Sequence, residues 1–483
     1  MNEAIRALQP TALWQHFADL NAVPRPSKKE ERVIQFIKSF GEGLQLPTTT
    51  DEVGNVLIKK PATAGMESKQ TVVLQSHLDM VHQKNNDTVF DFDTQGIEMY
   101  IEDDFVKARG TTLGADNGIG VASIMTLLAS KDIPHPAIEA LFTIDEETGM
   151  TGALAFKGGL LKGNIMLNLD TEEDNELTIG CAGGIDVTAS GEYKAVPTKH
   201  TVAFRLTLKG LTGGHSGVDI HKGRGNANKL MTRCLLTMAQ NTQIDIAVMD
   251  GGSLRNAIPR EINVDFVVAQ KNIEQVKAVV KRFQNVLKAD HIETDPNMSL
   301  TLESIDVPKD VLPRILQTKI LKAISSCPNG VYRMSADIEG LVQTSNNLSR
   351  VLVKNGVYSI QCLTRSSVDT EKTELQMAIK AIFDILGAKT TYGGAYPGWT
   401  PKPSSPIVQL MSDLYVERYN EKPHVSACHA GLECGILGTH YPDMQMISFG
   451  PNIYGAHSPD ERVQISSVQK YWGYLLETLV RIP

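Results

Sequence analysis

Several things are scarce in this chain, and each shortage removes a class of answer. No uninterrupted apolar run of about 18 residues occurs, so nothing in the sequence reads as a membrane-spanning helix. No long Lys/Arg run is present either, and 47 basic against 55 acidic residues leave a net charge of −8, which argues against nucleic acid as a partner. Six cysteines lie scattered over 483 residues without a Cys-x-x-Cys pair, a pattern of reduced, mostly buried thiols and not of a disulfide framework. Met1 to Pro10 carries Glu3 and Arg6 and lacks the apolar stretch of a secretory signal, so a cytoplasmic protein is expected. Phosphoryl transfer has no visible cradle, because no Gly-x-x-x-x-Gly-Lys-Ser/Thr loop occurs. Serine catalysis is disfavoured too: Gly214-His215-Ser216-Gly217 resembles a nucleophile elbow, but Val218 stands where the pattern needs glycine.

What is present is an ordinary globular composition, 42% hydrophobic and 21% charged, on a chain too long for one core. Two domains are expected. Ser27-Lys28-Lys29-Glu30 has the spacing of a capping box ahead of a helix through Val33, Ile34, Phe36 and Ile37. Strands are predicted at 53–58, 71–74, 138–144 and 165–169, with an acidic, turn-rich excursion after the second and a helix entered at Gly118-Ile119-Gly120. This alternation predicts an α/β fold with a mostly parallel sheet flanked by helices. Past Gly180-Cys181-Ala182-Gly183-Gly184 the pattern changes to an insert of strands and helices that reads as two small α/β layers in tandem. The expected division is a domain formed by 1–183 with 394–483, and an inserted two-part lid over 184–393.

Five acidic or histidine clusters are the chemical signal, each following a short apolar or turn-rich run: Ser76-His77-Leu78-Asp79, Gly114-Ala115-Asp116-Asn117, Asp145-Glu146-Glu147, Asn168-Leu169-Asp170 and Gly455-Ala456-His457. The carboxyl ends of parallel strands open on one shared crevice, so positions far apart in sequence can converge on a single point. Each cluster has a plain reading by itself. A strand-end histidine is usually structural, Asp116 could cap a helix, and acidic runs are usually solvated. Jointly they form a different object. His77, Asp116, Glu147, Asp170 and His457 supply the ligand types of a dinuclear zinc centre, in which three carboxylates and one hydroxide neutralise two cations. Glu146 is spare beside a ligand, and Asp79, on the same face as His77, can fix the imidazole tautomer.

On those motifs the sequence resembles the zinc-dependent exopeptidases of the carnosinase and glutamate carboxypeptidase type. Ser76-His77-Leu78-Asp79-Met80-Val81, Thr112 to Gly120, Asp145 to Ala153 and Cys181-Ala182-Gly183-Gly184 resemble most closely the branch that cleaves aminoacyl-histidine dipeptides, nearly end to end. The resemblance implies that His77 and Asp170 hold one zinc, Glu147 and His457 the other, and Asp116 both. It also implies that Glu146 is the general base acting on a zinc-bridging hydroxide and that Asp79 orients His77. In the lid it points to His215 for the oxyanion, Arg365 for the substrate carboxylate and Asn256 as a further contact, with His221 and Arg255 as competitors. The expected function is a dipeptidase acting on small peptides with a free carboxyl terminus, using two Zn2+ or, in their place, Co2+ or Mn2+. A homodimer is left open. The same ligand set would serve an N-acyl-amino-acid deacylase or a tripeptide aminopeptidase, and a non-catalytic metal- or nucleotide-binding protein is the alternative outside the hydrolases.

Overall fold

The computed structural model describes residues 2–85 and 87–483. Its chain divides into two compact units. Unit 1 comprises Met1–Gly180, Trp399–Ala427 and Leu432–Pro483; unit 2 comprises Cys181–Gly398 and the short return Cys428–Gly431.

Unit 1 is built on an eight-stranded sheet whose four central strands run parallel, in the order Ile138–Thr143, Val72–His77, Ile165–Asn168, Gln445–Ser448. The sequence reason is the near-continuous apolar character of these runs, which are buried on both faces over most of their length. Antiparallel strands flank the parallel centre, Val56–Lys60 on one side and Glu176–Cys181 on the other. Because the four central strands share a direction, their carboxyl ends lie along one edge. His77 is the last residue of its strand; Asp145, Asp170 and Phe449 follow shortly after theirs.

Helix Ala115–Ala129 is apolar all round and packs between the Val72–His77 strand and helix Thr11–Asn21. Its close approach requires glycine at 120, where a Cβ would stand 2.7 Å from the Leu169 carbonyl oxygen. The excursion after His77, expected as turns, contains two further strands, Met99–Glu102 and Phe105–Ala108. They pair with Arg462–Gln464 and Ile453–Tyr454 in a small antiparallel sheet, which ties the region before Asp116 to the segment carrying His457. The expected capping box is absent: Ser27 donates its hydroxyl to Asp79 Oδ2 (2.8 Å), and the helix Glu31–Gly43 has no side-chain cap.

Unit 2 is organised around a nine-stranded antiparallel sheet. The two layers expected from sequence are halves of this one sheet, joined where Met249–Gly251 pairs with Val351–Val353. Helices Ala227–Asn241, Ile273–Asp290, Arg314–Ser326 and Asp369–Leu386 bury their apolar stripes in a common core with the strands. Among the described residues no helix is long and apolar enough to cross a membrane.

Phe266 is fully buried in that core, its ring centroid 6.1 Å from that of Phe204. Phe266→Ala should therefore cost unit 2 about 3–5 kcal/mol of stability, read from urea unfolding followed by circular dichroism. A loss below about 1 kcal/mol would mean that the core is packed around something else.

Candidate metal centre

His77 and His457 come from strand ends and loops 380 positions apart, yet both ring Nε2 atoms face the same carboxylate. His77 Nε2 lies 3.2 Å from Asp116 Oδ1, and His457 Nε2 lies 3.2 Å from Asp116 Oδ2. Each imidazole also meets a second acid. Asp170 Oδ1 is 3.4 Å from His77 Nε2, and Glu147 Oε2 is 2.9 Å from His457 Nε2. Three overlapping groups of possible ligands result, each with ligand atoms within 4.8 Å of one another: His77 with Asp116 and Asp170, Asp116 with Glu147 and His457, and His77 with Glu146 and Glu147.

The backbone that makes this possible is irregular. Asp116 and Asn117 leave helical geometry although they lie inside the first turn of helix Ala115–Ala129, which turns the Asp116 carboxylate out of the helix and toward both histidines. Asp145 takes a left-handed conformation (φ 53°) that ends the Ile138–Thr143 strand and starts the short helix Glu146–Gly149; Thr148 and Thr151 hydroxyls hold its carboxylate. His457 is also left-handed, at φ 63°. Such conformations are uncommon for residues with a Cβ and gather at functional sites.

Asp79 is fully buried and does more than face His77 Nδ1 at 3.3 Å. Its two carboxylate oxygens accept the backbone N–H groups of Glu146 (3.0 Å) and Glu147 (3.3 Å), so one side chain fixes both the imidazole and the turn that carries the paired glutamates.

The electrostatics describe a site crowded with anions. Burial works against the charged imidazole of His77, but Asp170, Asp116 and Asp79 outweigh it and hold its pKa well above the usual value. Hydrogen bonds to Asp116 and Glu147 raise His457 to about 11. Burial pushes Asp170 up to about 6, and it raises Glu146 far above the ordinary carboxylate range, helped by Asp170, Glu147 and Glu433. Glu172 rises to about 8, by burial and then by Asp116.

The donor set fits divalent cations. A tetrahedral centre with bonds of about 2.0–2.2 Å has ligand-to-ligand edges of about 3.4 Å, and wider coordination shortens them. The four nitrogen–oxygen separations, 2.9 to 3.4 Å, match such edges. Buried Glu147 Oε1 accepts no hydrogen bond, which is costly for a carboxylate oxygen.

The remaining expected site residues lie in unit 2. His215 Nδ1 accepts the N–H groups of Gly217 (3.2 Å) and Val218 (3.1 Å), so Nε2 carries the proton in the neutral ring. An isolated bridge pairs His215 with Ala257, and Ser216 N–H donates to the Asn256 carbonyl, which brings these two segments side by side. Arg365 is buried, donates from Nη1 to the Tyr396 hydroxyl (2.7 Å), and has no hydrogen-bond partner at Nε. Its competitor Arg255 is committed elsewhere: Nη2 donates to Thr188 (2.6 Å) and Nε faces Asp186 (3.2 Å).

Sequence reasoning missed His429, whose Nε2 is 2.8 Å from Ser345 Oγ. Burial, then Arg365, His215 and His221, lowers its pKa to about 3 and keeps the ring neutral. It also missed three buried charges of unit 1, Arg25, Glu433 and Glu461. Glu433 accepts from Gln75 (2.7 Å) and Thr143 (2.6 Å) beneath the strand ends, and burial raises it to about 8.

A parallel-centred α/β sheet gathers paired histidines and a shared carboxylate at its carboxyl edge, the makings of a divalent-metal site, and its relatives place it among the metal-dependent hydrolases of peptide bonds. The chain belongs to peptidase family M20/M25/M40, whose model matches residues 73–481. It is 44% identical over 478 residues to the cytosol non-specific dipeptidase of Escherichia coli (strain K12), covering 99% of this chain and 98% of that protein. The crystal structure of aminoacylhistidine dipeptidase from Vibrio alginolyticus superposes with a TM-score of 0.92 at 43% identity, covering 100% of this chain and 99% of that one. The structure of aminopeptidase PepT from Bacillus cereus shares the fold, with a TM-score of 0.57 at 15% identity over 98% of this chain and 100% of its own.

Asp116 belongs to two of the ligand groups and is the carboxylate that faces both histidines, one through each oxygen. Asp116→Ala should lower the content of divalent metal in extensively dialysed protein well below that of the parent, measured by elemental analysis against protein concentration. Unchanged stoichiometry and affinity would exclude a shared role for this carboxylate.

Proposed function

We infer that this chain is a metal-dependent dipeptidase, acting on dipeptides with a free C-terminal carboxylate, aminoacyl-histidine dipeptides among them. The observation that carries the reading is the placement of the two Asp116 oxygens, each 3.2 Å from a different histidine, on a chain similar end to end to a dipeptidase. In this reading His77 and Asp170 hold one cation, Glu147 and His457 the other, and Asp116 serves both. Two Zn2+ suit the mixed nitrogen and oxygen donors, and Co2+ or Mn2+ would be accepted by the same set. When bound, the cations supply Lewis acidity at the scissile carbonyl and at the attacking water.

The protein's own groups do the rest. Glu146, adjacent to a ligand and half-buried, takes the proton of the attacking water and delivers it to the leaving amine, the work of a general base that then becomes an acid. Asp79 keeps His77 in one tautomer and holds Glu146 at a fixed height through its backbone N–H. In unit 2, His215 offers a proton at Nε2 to the negative charge that develops on the carbonyl oxygen. Arg365, whose Nε has no hydrogen-bond partner in the protein, binds the substrate carboxylate, and Asn256 adds a polar contact. The substrate is then the small-molecule partner, and the reaction belongs in the cytoplasm; a homodimer remains compatible with all of it.

Two measurements test this. Glu146→Gln should reduce kcat by about 10²–10⁴-fold while the metal content stays that of the parent; a variant with full metal and near-parental turnover would remove Glu146 from the reaction. Arg365→Ala should raise KM for free dipeptides far more than for their C-terminal amides, and an equal effect on both would show that it does not read the carboxylate. Comparing a dipeptide, a tripeptide and an N-acetylated amino acid on the parent protein separates a dipeptidase from a tripeptide aminopeptidase or a deacylase.

A further inference from the structure

We propose that Arg25 and Glu461 are positioning residues of the metal centre, clamping the loop Leu113–Asp116 from opposite sides so that the Asp116 carboxylate can be shared between two cations. The proposal rests on reading Asp116 as a shared ligand and goes beyond it by assigning what sets that side chain's place.

Glu461 is buried, and its carboxylate accepts four consecutive backbone N–H groups. Oε2 takes those of Leu113 (2.7 Å) and Gly114 (2.9 Å), and Oε1 those of Ala115 (2.7 Å) and Asp116 (3.3 Å). The plain alternative is a capped helix, since Ala115 begins one. Two features argue against that as the whole account. A helix cap is normally supplied by the residue that precedes the helix, whereas this carboxylate comes from 345 positions further along the chain. The stretch it holds is also where the helix is irregular: Asp116 (φ −80°, ψ 112°) and Asn117 (φ −102°, ψ 31°) are non-helical. Glu461 therefore holds the departure from helical geometry that aims Asp116.

Glu461 also lies one turn after His457, and that turn is closed by its own N–H donating to the Ser458 carbonyl (3.0 Å). One tight turn thus presents an imidazole to Asp116 Oδ2 and a carboxylate to the Asp116 backbone.

Arg25 completes the clamp through the carbonyl groups. Nη2 donates to Gly114 O (2.5 Å) and Asn21 Oδ1 (3.1 Å), while Nη1 donates to Leu78 O and Asp79 O (both 3.0 Å). The guanidinium therefore ties the strand end that carries His77 to the loop that carries Asp116. Glycine at 114 and 118 makes the room, because a Cβ there would stand 2.5 Å and 2.7 Å from Arg25 Nη2. Arg25 precedes the residues matched by the family model, so the N-terminal segment of this chain contributes directly to the centre. A planar fork with donors in fixed directions suits this task, and a lysine ammonium at the same place could not reach both backbones at once.

The test compares apo-protein of the parent, Glu461→Gln, Arg25→Lys and a control, Leu475→Ala, whose side chain is fully buried in helix Ile465–Arg481 away from any assigned role. Co2+ binding is titrated in competition with a chromophoric chelator, and the apo melting temperature is recorded for each. Glutamine keeps the shape of Glu461 but turns an NH2 group toward two of the N–H donors, so the clamp opens. Both clamp variants should bind at least one of the two cations about 10–100-fold more weakly, while the control, melting at least as early, stays within about twofold of the parent. Parental affinity in the clamp variants, or an equal loss in Leu475→Ala, overturns the proposal. A parent protein that binds fewer than two cations overturns the shared-ligand reading beneath it, and so is told apart from failure of the clamp alone. Should Glu461→Gln not fold, Arg25→Lys retains the charge and decides the matter.

Discussion

The structure depends on one electrostatic constraint: Asp79, Asp116, Glu146, Glu147 and Asp170 are gathered at one sheet edge, Asp79 fully buried and the other four half-buried. At an effective dielectric constant of about 20, two like unit charges 4 Å apart repel by roughly 4 kcal/mol. No fold stability of ordinary size absorbs several such pairs unaided. Raised proton affinity at Glu146 and Asp170, and the charged state favoured for His77 and His457, are two responses to that repulsion. Divalent cations are the third and the strongest, because two charges close at hand answer several carboxylates at once without requiring that any be protonated. Cation affinity and folding are therefore linked in unit 1.

The backbone around the site answers the same constraint by a different route. Three carboxylates hold the site together through groups other than cations: Asp79 accepts the N–H groups of Glu146 and Glu147, Asp145 accepts two threonine hydroxyls, and Glu461 accepts four N–H groups around Asp116. Each fixes a turn that carries an expected ligand. Negative charge is thus used twice, in side chains that converge on the candidate metal centre and in side chains that hold the first set in place. A neutral anchor could accept fewer N–H groups from one side chain, which is why the anchors are acids despite the crowding.

How much of this was legible in the sequence follows from the range of each interaction. The meeting of His77, Asp79, Glu146, Glu147 and Asp170 could be read because parallel strands announce themselves as apolar runs and their carboxyl ends share an edge; Asp116, at a helix start, and His457, in a loop, joined them through the family resemblance. Arg25 and Glu461 could not, since an arginine between two prolines and a glutamate in Ser458-Pro459-Asp460-Glu461 look like surface residues until tertiary contacts bury them. Ser27 was misread for a related reason: the helix begins at Glu31, beyond the reach of a cap at 27, and the hydroxyl donates instead to Asp79, 52 positions away in sequence. In unit 2 the helices and strands were legible from periodicity, whereas their union into one sheet depends on a pairing between residues about a hundred positions apart, Asp250 with Leu352, which periodicity does not encode.

The two units also divide the chemistry by sign. Unit 1 concentrates carboxylates and has use for cations, whereas unit 2 holds donors: the expected Arg365, buried, and His215 with its proton at Nε2, joined by His429, which the sequence did not reveal and which is kept neutral by burial and then by the guanidinium. A dipeptide has a carboxylate and a polarised carbonyl, both of which want donors, and a leaving amine that wants a proton. Within unit 2 an arginine beside an available carboxylate pairs with it, as Arg255 does with Asp186. Arg365 differs in degree: Asp186 is near enough to feel its charge, yet the guanidinium's Nε has no hydrogen-bond acceptor among the described residues and so retains a donor that Arg255 has spent.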